Sequence, residues 1–169
     1  MNTEVQSWLL AIEPFSGESL SHFLGRFRRQ NYLSPSALGE LAGVGAVISR
    51  WEKFYLNPFP SAAHIESVAD VVGVSPDRIR QMLAPEGVKM KCEPIRLCGA
   101  CYREQPFHRI EWQYQTTGGC EVHRLRLLPK CPNCRKGFPI PALWEDGCCS
   151  RCKLSFGEMG KWQKSMLEG

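Results

Sequence analysis

The 169 residues carry a formal charge of +4 and are 43% apolar, which allows one modest core or two small ones and is too apolar for wholesale disorder. The run Trp8, Leu9, Leu10, Ala11, Ile12 has no basic stretch before it and Glu13 after it, so neither a signal peptide nor a bilayer span is expected anywhere in the chain. Nine cysteines without an export signal point to a reducing compartment, where thiols serve metals more often than disulfides.

From Leu20 the apolar residues Leu20, Phe23, Leu24 and Phe27 follow i, i+3, i+4, i+7 and predict a helix, with His22, Arg26 and Arg29 on another face. Ser34 and Pro35 read as an N-cap and first helical residue. Leu38, Leu41 and Ala42 give that helix a buried face, and Gly43 stops it. Val47, Ile48, Trp51, Phe54 and Tyr55 form a third stripe, ended by the turn at 57–60. Ile65, Val68, Ala69 and Val72 follow helical spacing, Gly73 is a left-handed stop, and Ser75–Pro76 restart a helix carrying Ile79, Met82 and Leu83. That order is the helix-turn-helix plan, which serves DNA reading or plain helix packing. The stretch Ala84, Pro85, Glu86, Gly87 reads as a linker.

Every cysteine lies at or beyond position 92. Cys98 and Cys101 form a CxxC pair, and Cys120 and His123 form CxxH. Cys131 and Cys134 form a second CxxC, followed by Cys149 and Cys152. Two four-ligand sets in series fit two structural zinc ions, because a two-residue gap lets one tight turn aim both ligands at a single ion. Cys148 and Cys92 are then spare thiols. Between the first pairs, 111–117 alternates Trp112 and Tyr114 with polar residues and predicts a strand entering the turn at Gly118–Gly119.

The architecture so read is α plus small zinc-ribbon (α+β). A helical helix-turn-helix domain over 1–88 precedes a first ribbon over 89–128 and a second ribbon with a C-terminal tail over 129–169. In the tail, Trp162, Met166 and Leu167 suit either a short docking helix or a terminus capping the second ribbon.

Charge and site chemistry exclude several functions. Residues 1–91 hold nine basic and nine acidic side chains, and 92–169 hold twelve and eight. Seven bound thiolates against two dications would lower the second half from +4 to about +1. Neither half is then built for nonspecific nucleic-acid binding. Arg26, Arg28 and Arg29 form a local cluster that could touch a DNA or RNA backbone or a partner, although a solvated helix face is the commoner meaning of such a run. Four protein ligands per zinc leave no open position for a catalytic water. No GxxxxGK[ST] loop is present, and His22, His64 and His108 stand isolated as surface or core histidines. No CxxC sits beside a βαβ pattern, as redox catalysis would require. No enzyme activity is expected.

Glu18, Ser19, Leu20, Ser21, then Leu24, Arg26 and Asn31, resemble the start of the TniQ family of transposition proteins. CGAC at 98–101, Trp112, CEVH at 120–123, Leu127, Leu128 and CPNC at 131–134 resemble the paired zinc-ribbon part of that family. Phe23 stands where the family often has tryptophan, and Arg124 where glycine is frequent. The resemblance implies a bacterial cytoplasmic protein acting in target selection for transposons that use a AAA+ ATPase, TnsC, to recruit the transposase. Longer relatives such as TnsD add domains that read an attachment site. This chain's brevity is similar to the short TniQ of type V-K CRISPR-associated transposons, which implies a bridge between an RNA-guided effector with its guide RNA and the TnsC filament. The competing expectation is an autonomous sequence-specific DNA binder that uses 75–83 as its recognition helix.

Overall fold

A computed structural model describes residues 9–167; Trp8 and the last two residues of the tail lie outside the described residues. The first half is helical. It comprises α1 (Leu20–Gln30), α2 (Pro35–Leu41), α3 (Val47–Glu52), α4 (Ala62–Val72) and α5 (Pro76–Gln81). Ser19, Ser34, Ser61 and Ser75 each precede a helix in extended geometry, and their hydroxyls accept from the backbone N–H three residues on. This single device starts four helices and satisfies a donor that the helix itself cannot. Gly73, at φ +78°, ends α4 in the left-handed conformation that favours glycine.

The spacing at Leu20, Phe23, Leu24 and Phe27 does face a core, completed by Leu38, Ile48, Trp51, Ile65, Val68, Val72, Ile79 and Met82. The third stripe breaks where the sequence pattern runs on. α3 stops at Glu52, Phe54 takes a left-handed φ of 61°, and its ring turns to the second core beside His108. Tyr55, expected on the same buried stripe, is exposed.

The second half has little regular structure. A helix α6 (Gly99–Glu104) starts inside the first cysteine pair, and β1 (Gly119–Cys120) pairs antiparallel with β2 (Leu125–Arg126). Three 3-10 segments complete it: Ile110–Gln113, Pro141–Leu143 and Phe156–Trp162.

The strand expected at 111–117 is therefore corrected. Ile110–Gln113 coils because Gln113 is wholly buried and acts as a hub rather than alternating outward. Its side-chain amide donates to the Lys91 and Pro94 carbonyls and its oxygen accepts from Arg96 N–H.

Among the described residues the tail is not a helix after Trp162, and Trp162 and Lys164 line a cavity shared with Cys131, Pro132 and Arg135 of the second module. The tail runs back along the first module: Leu125 bridges Ser165, Arg126 N–H donates to the Lys164 carbonyl, and Met166 N–H to the Arg124 carbonyl. The Phe156–Trp162 segment lies on α6 so closely that a Cβ on Gly99 would overlap the Gly160 backbone.

The halves meet along a seam. Residues 17–19 run against 108–110, with Ser19 N–H donating to the His108 carbonyl at 2.9 Å and Ile110 N–H to the Gly17 carbonyl at 3.0 Å. Phe15 stacks on Phe107 with ring centroids 4.7 Å apart. α1 lies on Pro141–Leu143, and a Cβ on Gly25 would overlap the Ala142 carbonyl.

Candidate metal centres

The four ligand atoms of Cys98, Cys101, Cys120 and His123 lie within 4.8 Å of one another, as do those of Cys131, Cys134, Cys149 and Cys152. In the first group Cys101 Sγ is 3.3 Å from Cys120 Sγ and 3.3 Å from His123 Nδ1, with Cys120 Sγ 3.5 Å and Cys98 Sγ 3.9 Å from the same nitrogen. In the second, Cys131 lies 3.6 Å from Cys152 and Cys134 3.4 Å from Cys149. A tetrahedral ion with metal–sulfur bonds near 2.3 Å holds neighbouring sulfurs about 3.8 Å apart, so both groups are sized to hold one ion each. The second group takes Cys149 and leaves out Cys148, which bridges Ser155 through its backbone. Cys92 belongs to neither group and is exposed.

Three of the four ligand pairs are built alike. Arg124 N–H donates to the Cys120 carbonyl, Arg135 to Cys131, and Lys153 to Cys149. Each of these donors has positive φ, at 56°, 68° and 65°. Arg124, where the family often has glycine, thus occupies a left-handed position that glycine adopts without strain. The knuckle amides also point at sulfur: His123 N–H reaches Cys120 Sγ and Arg151 N–H reaches Cys149 Sγ, both at 3.4 Å.

Electrostatics within the groups favours a thiolate in each. Cys98 is held down to about 5, chiefly by a hydrogen bond from Cys101, against the opposing effect of burial. Cys101 is pushed up in return. Cys152 falls to about 6 through the Asn133 side chain, while burial lifts Cys131 to about 11.

Glu104 went unnoticed in the sequence. Its carboxylate sits 2.6 Å from His123 Nε2 and raises the imidazole's affinity for its proton. That contact keeps the proton on Nε2 and presents Nδ1 to the sulfurs, the usual way a carboxylate orients a ligating histidine. Spacing alone could have hinted at it, since Glu104 lies three residues past Cys101, one helical turn along α6.

The three arginines read as backbone or partner contacts each bond to a group of the chain itself; Arg28 is buried, while Arg26 and Arg29 stay partly exposed. Arg26 forks onto Glu18 at 2.8 and 2.6 Å. Arg28 forks onto Glu52 at 2.6 and 2.7 Å, and burial raises Glu52 even so. Arg29 donates to the Ala142 carbonyl across the seam. His64 is exposed, whereas His22 and His108 are buried.

The Glu18–Ser21 stretch proves to be a clamp. Glu18 accepts from Phe15 N–H, His22 Nδ1 and Arg26; burial alone would raise its pKa, but the Arg26 and His22 contacts leave it lowered. Ser19 caps α1 and meets His108 Nδ1 at 2.8 Å. Ser21 donates to the Glu52 carbonyl and accepts from Ala142 N–H.

Among known proteins, the family model described as TniQ matches residues 9–127. No curated protein matches the chain.

Proposed function

The chain belongs to the TniQ family of transposition-associated proteins, and from that premise we propose that it is a non-enzymatic adaptor in target-site selection. In this reading it links an RNA-guided CRISPR effector to the AAA+ regulator TnsC and its DNA-bound filament. Both clusters are assigned to structural zinc, because thiolate-rich tetrahedral sets suit that ion best. Cys98, Cys101, Cys120 and His123 would hold one ion and Cys131, Cys134, Cys149 and Cys152 the other, each replacing the core that so few residues cannot supply.

The observation that carries the reading is closure. Each group gathers four protein ligand atoms within 4.8 Å of one another, the number a tetrahedral ion takes, and Glu104 beside the first group is bonded to the outer nitrogen of His123. An ion so enclosed has no site for a reacting water, so it organises a surface instead of a reaction. The clamp at Glu18–Ser21 then ties that surface to the helices. No helix among the described residues is long and apolar enough to cross a membrane.

The rival, an autonomous DNA reader, finds less support. α5 is six residues long, Arg78 is bonded to Gln81 and the Pro14 carbonyl, and Arg80 to Asp77. Little is left free to address base edges. Co-sedimentation with ATP-bound TnsC filaments on DNA tests the adaptor: the protein should pellet with them and should give no sequence-specific shift of duplex DNA alone. Absence from the pellet, or tight specific binding to duplex, would count against it.

A further inference from the structure

The ligands of the first group all lie between 98 and 123, yet residues 156–166 press on both of its ligand pairs. Gly99, which follows Cys98, lies so close to the Phe156–Trp162 segment that a Cβ there would overlap backbone of Phe156 and Gly160. Gly119, which precedes Cys120, meets Met166 in the same way. Past His123 the chain is bonded to the tail twice, by Arg126 N–H to the Lys164 carbonyl and by Met166 N–H to the Arg124 carbonyl. A strap thus crosses the group from one ligand pair to the other.

Gln163 is where that strap reaches the sulfur. Its buried side chain accepts from Gly99 N–H through Oε1 at 2.8 Å and donates to the Arg126 carbonyl through Nε2 at 3.0 Å. The first bond fixes the turn inside Cys98–Cys101, and the second fixes β2 beyond His123. Nε2 carries a second hydrogen, and the Cys98 thiolate accepts a hydrogen bond from this same side chain. The whole amide is engaged. Packing alone would be met by an apolar residue, since a buried amide is costly unless its hydrogen bonds are made. The second group finds the equivalent contact within its own knuckle, where the Asn133 side chain bonds Cys152.

We propose that Gln163 is a positioning residue for the first metal ion, and that the tail is a strap retaining this ion although it supplies no ligand. The inference rests on the assignment of both groups to zinc. A hydrogen bond to a coordinated thiolate spreads its charge and fixes its direction, and losing such an outer partner weakens metal binding about 10- to 100-fold. The two ions therefore answer to different parts of the chain. Displacing the tail loosens the first ion and leaves the second.

Competition of the full zinc-loaded chain with the chromophoric chelator 4-(2-pyridylazo)resorcinol provides the test, parent against Gln163→Ala and Gln163→Glu. In Gln163→Ala one ion should bind about 10- to 100-fold more weakly than in the parent, while the other keeps its parental affinity. Cobalt(II) in place of zinc identifies which ion is loosened, because three sulfurs and a nitrogen give ligand-field bands distinct from those of four sulfurs. The three-sulfur bands should be lost first. Gln163→Glu keeps the shape and an acceptor for Gly99 N–H, but its carboxylate cannot donate to sulfur. Its helical circular dichroism should match the parent's, while the sulfur-to-cobalt charge-transfer band of the first group shifts and the affinity of that group falls. A merely structural role would not move that band.

Parental affinity and parental bands in Gln163→Glu would overturn the proposal whatever Gln163→Ala does, since the donor alone would then be shown to be idle. Equal loosening of both ions in either variant would overturn it as well, because the effect would be general unfolding. A parent chain that holds fewer than two ions would instead sink the zinc assignment, and this inference with it.

Discussion

The helical half and the cysteine-bearing half reach order by opposite routes. Over 20–81, five helices follow from signals local to each segment: four serine caps, helical apolar spacing and a left-handed glycine. Over 95–166 there are one six-residue α-helix, three 3-10 segments and two strands of two residues, and the second core is completed by cysteines of the two groups. Each helix is marked by signals within its own segment, whereas a knuckle, on the proposed zinc assignment, is specified by the ion it would close on. The first half should therefore fail gradually and the second all at once.

Removing the metal is the severest way to break that contrast. On the proposed assignment of both groups to structural zinc, chelation should abolish the second half outright, since such an ion contributes on the order of 10 kcal/mol to folding. Hydrogen exchange should then show free amides across 95–166 while α2, α4 and α5 keep their protection. Loss of the helical circular dichroism signal together with the zinc would mean that the helices depend on the metal half, and the contrast would be false.

The seam is the next place to press. Gly25→Ala puts a methyl group into the Ala142 carbonyl, backbone against helix, with no flexible side chain able to yield. Overpacking of this kind costs about 1–3 kcal/mol. The variant should keep both zinc ions and its helicity but unfold at lower temperature, with α1 and 141–143 exchanging faster than the rest. Unchanged stability would show that α1 does not bear on Pro141–Leu143 as closely as placed here.

Legibility in the sequence follows the same division. Helix spacing, serine caps and both four-ligand groups could be read from the chain, including Cys149 over Cys148, because each is a short-range pattern. The clamp could not. Ser21 matters because residues 31 and 121 positions away, Glu52 and Ala142, arrive at its hydroxyl. The same holds for Arg26, Arg28 and Arg29: their charge suggested solvent or phosphate, and only the fold places Glu18, Glu52 and the Ala142 carbonyl before them. Alternation misled at 111–117 for a related reason. Gln113 is polar yet fully buried, serving Lys91, Pro94 and Arg96, so a polar residue stands where the pattern requires an outward face.

His108 offers the finest probe of the seam, through pH. Its ring is fully buried and edge-on to Trp112 and Trp144. Gln113 donates through its nitrogen to Lys91 and Pro94, so its oxygen faces His108 Nε2, which must carry the proton and donate. Nδ1 then accepts from the Ser19 hydroxyl, and the uncharged ring is fully satisfied. A second proton would bury a positive charge and force the Ser19 hydroxyl to turn from donor to acceptor, with His22 and Arg96 nearby. Burial, then the charge of His22, holds the pKa of His108 well below its ordinary value. Because the folded state refuses a proton that the unfolded chain accepts, this stability is complete above about pH 6.5 and is lost as pH falls below it, by up to about 1.4 kcal/mol per unit. His22 is lowered in the same sense, and the ligand thiolates also compete for protons, so wild type alone would not isolate the effect. His108→Gln does isolate it, since the other groups are common to both chains. Urea unfolding at pH 7.0, 6.0 and 5.5 should show the variant less stable at the top of that range and the gap narrowing toward the bottom. A gap that stays constant would mean that His108 gains its proton without opening the seam.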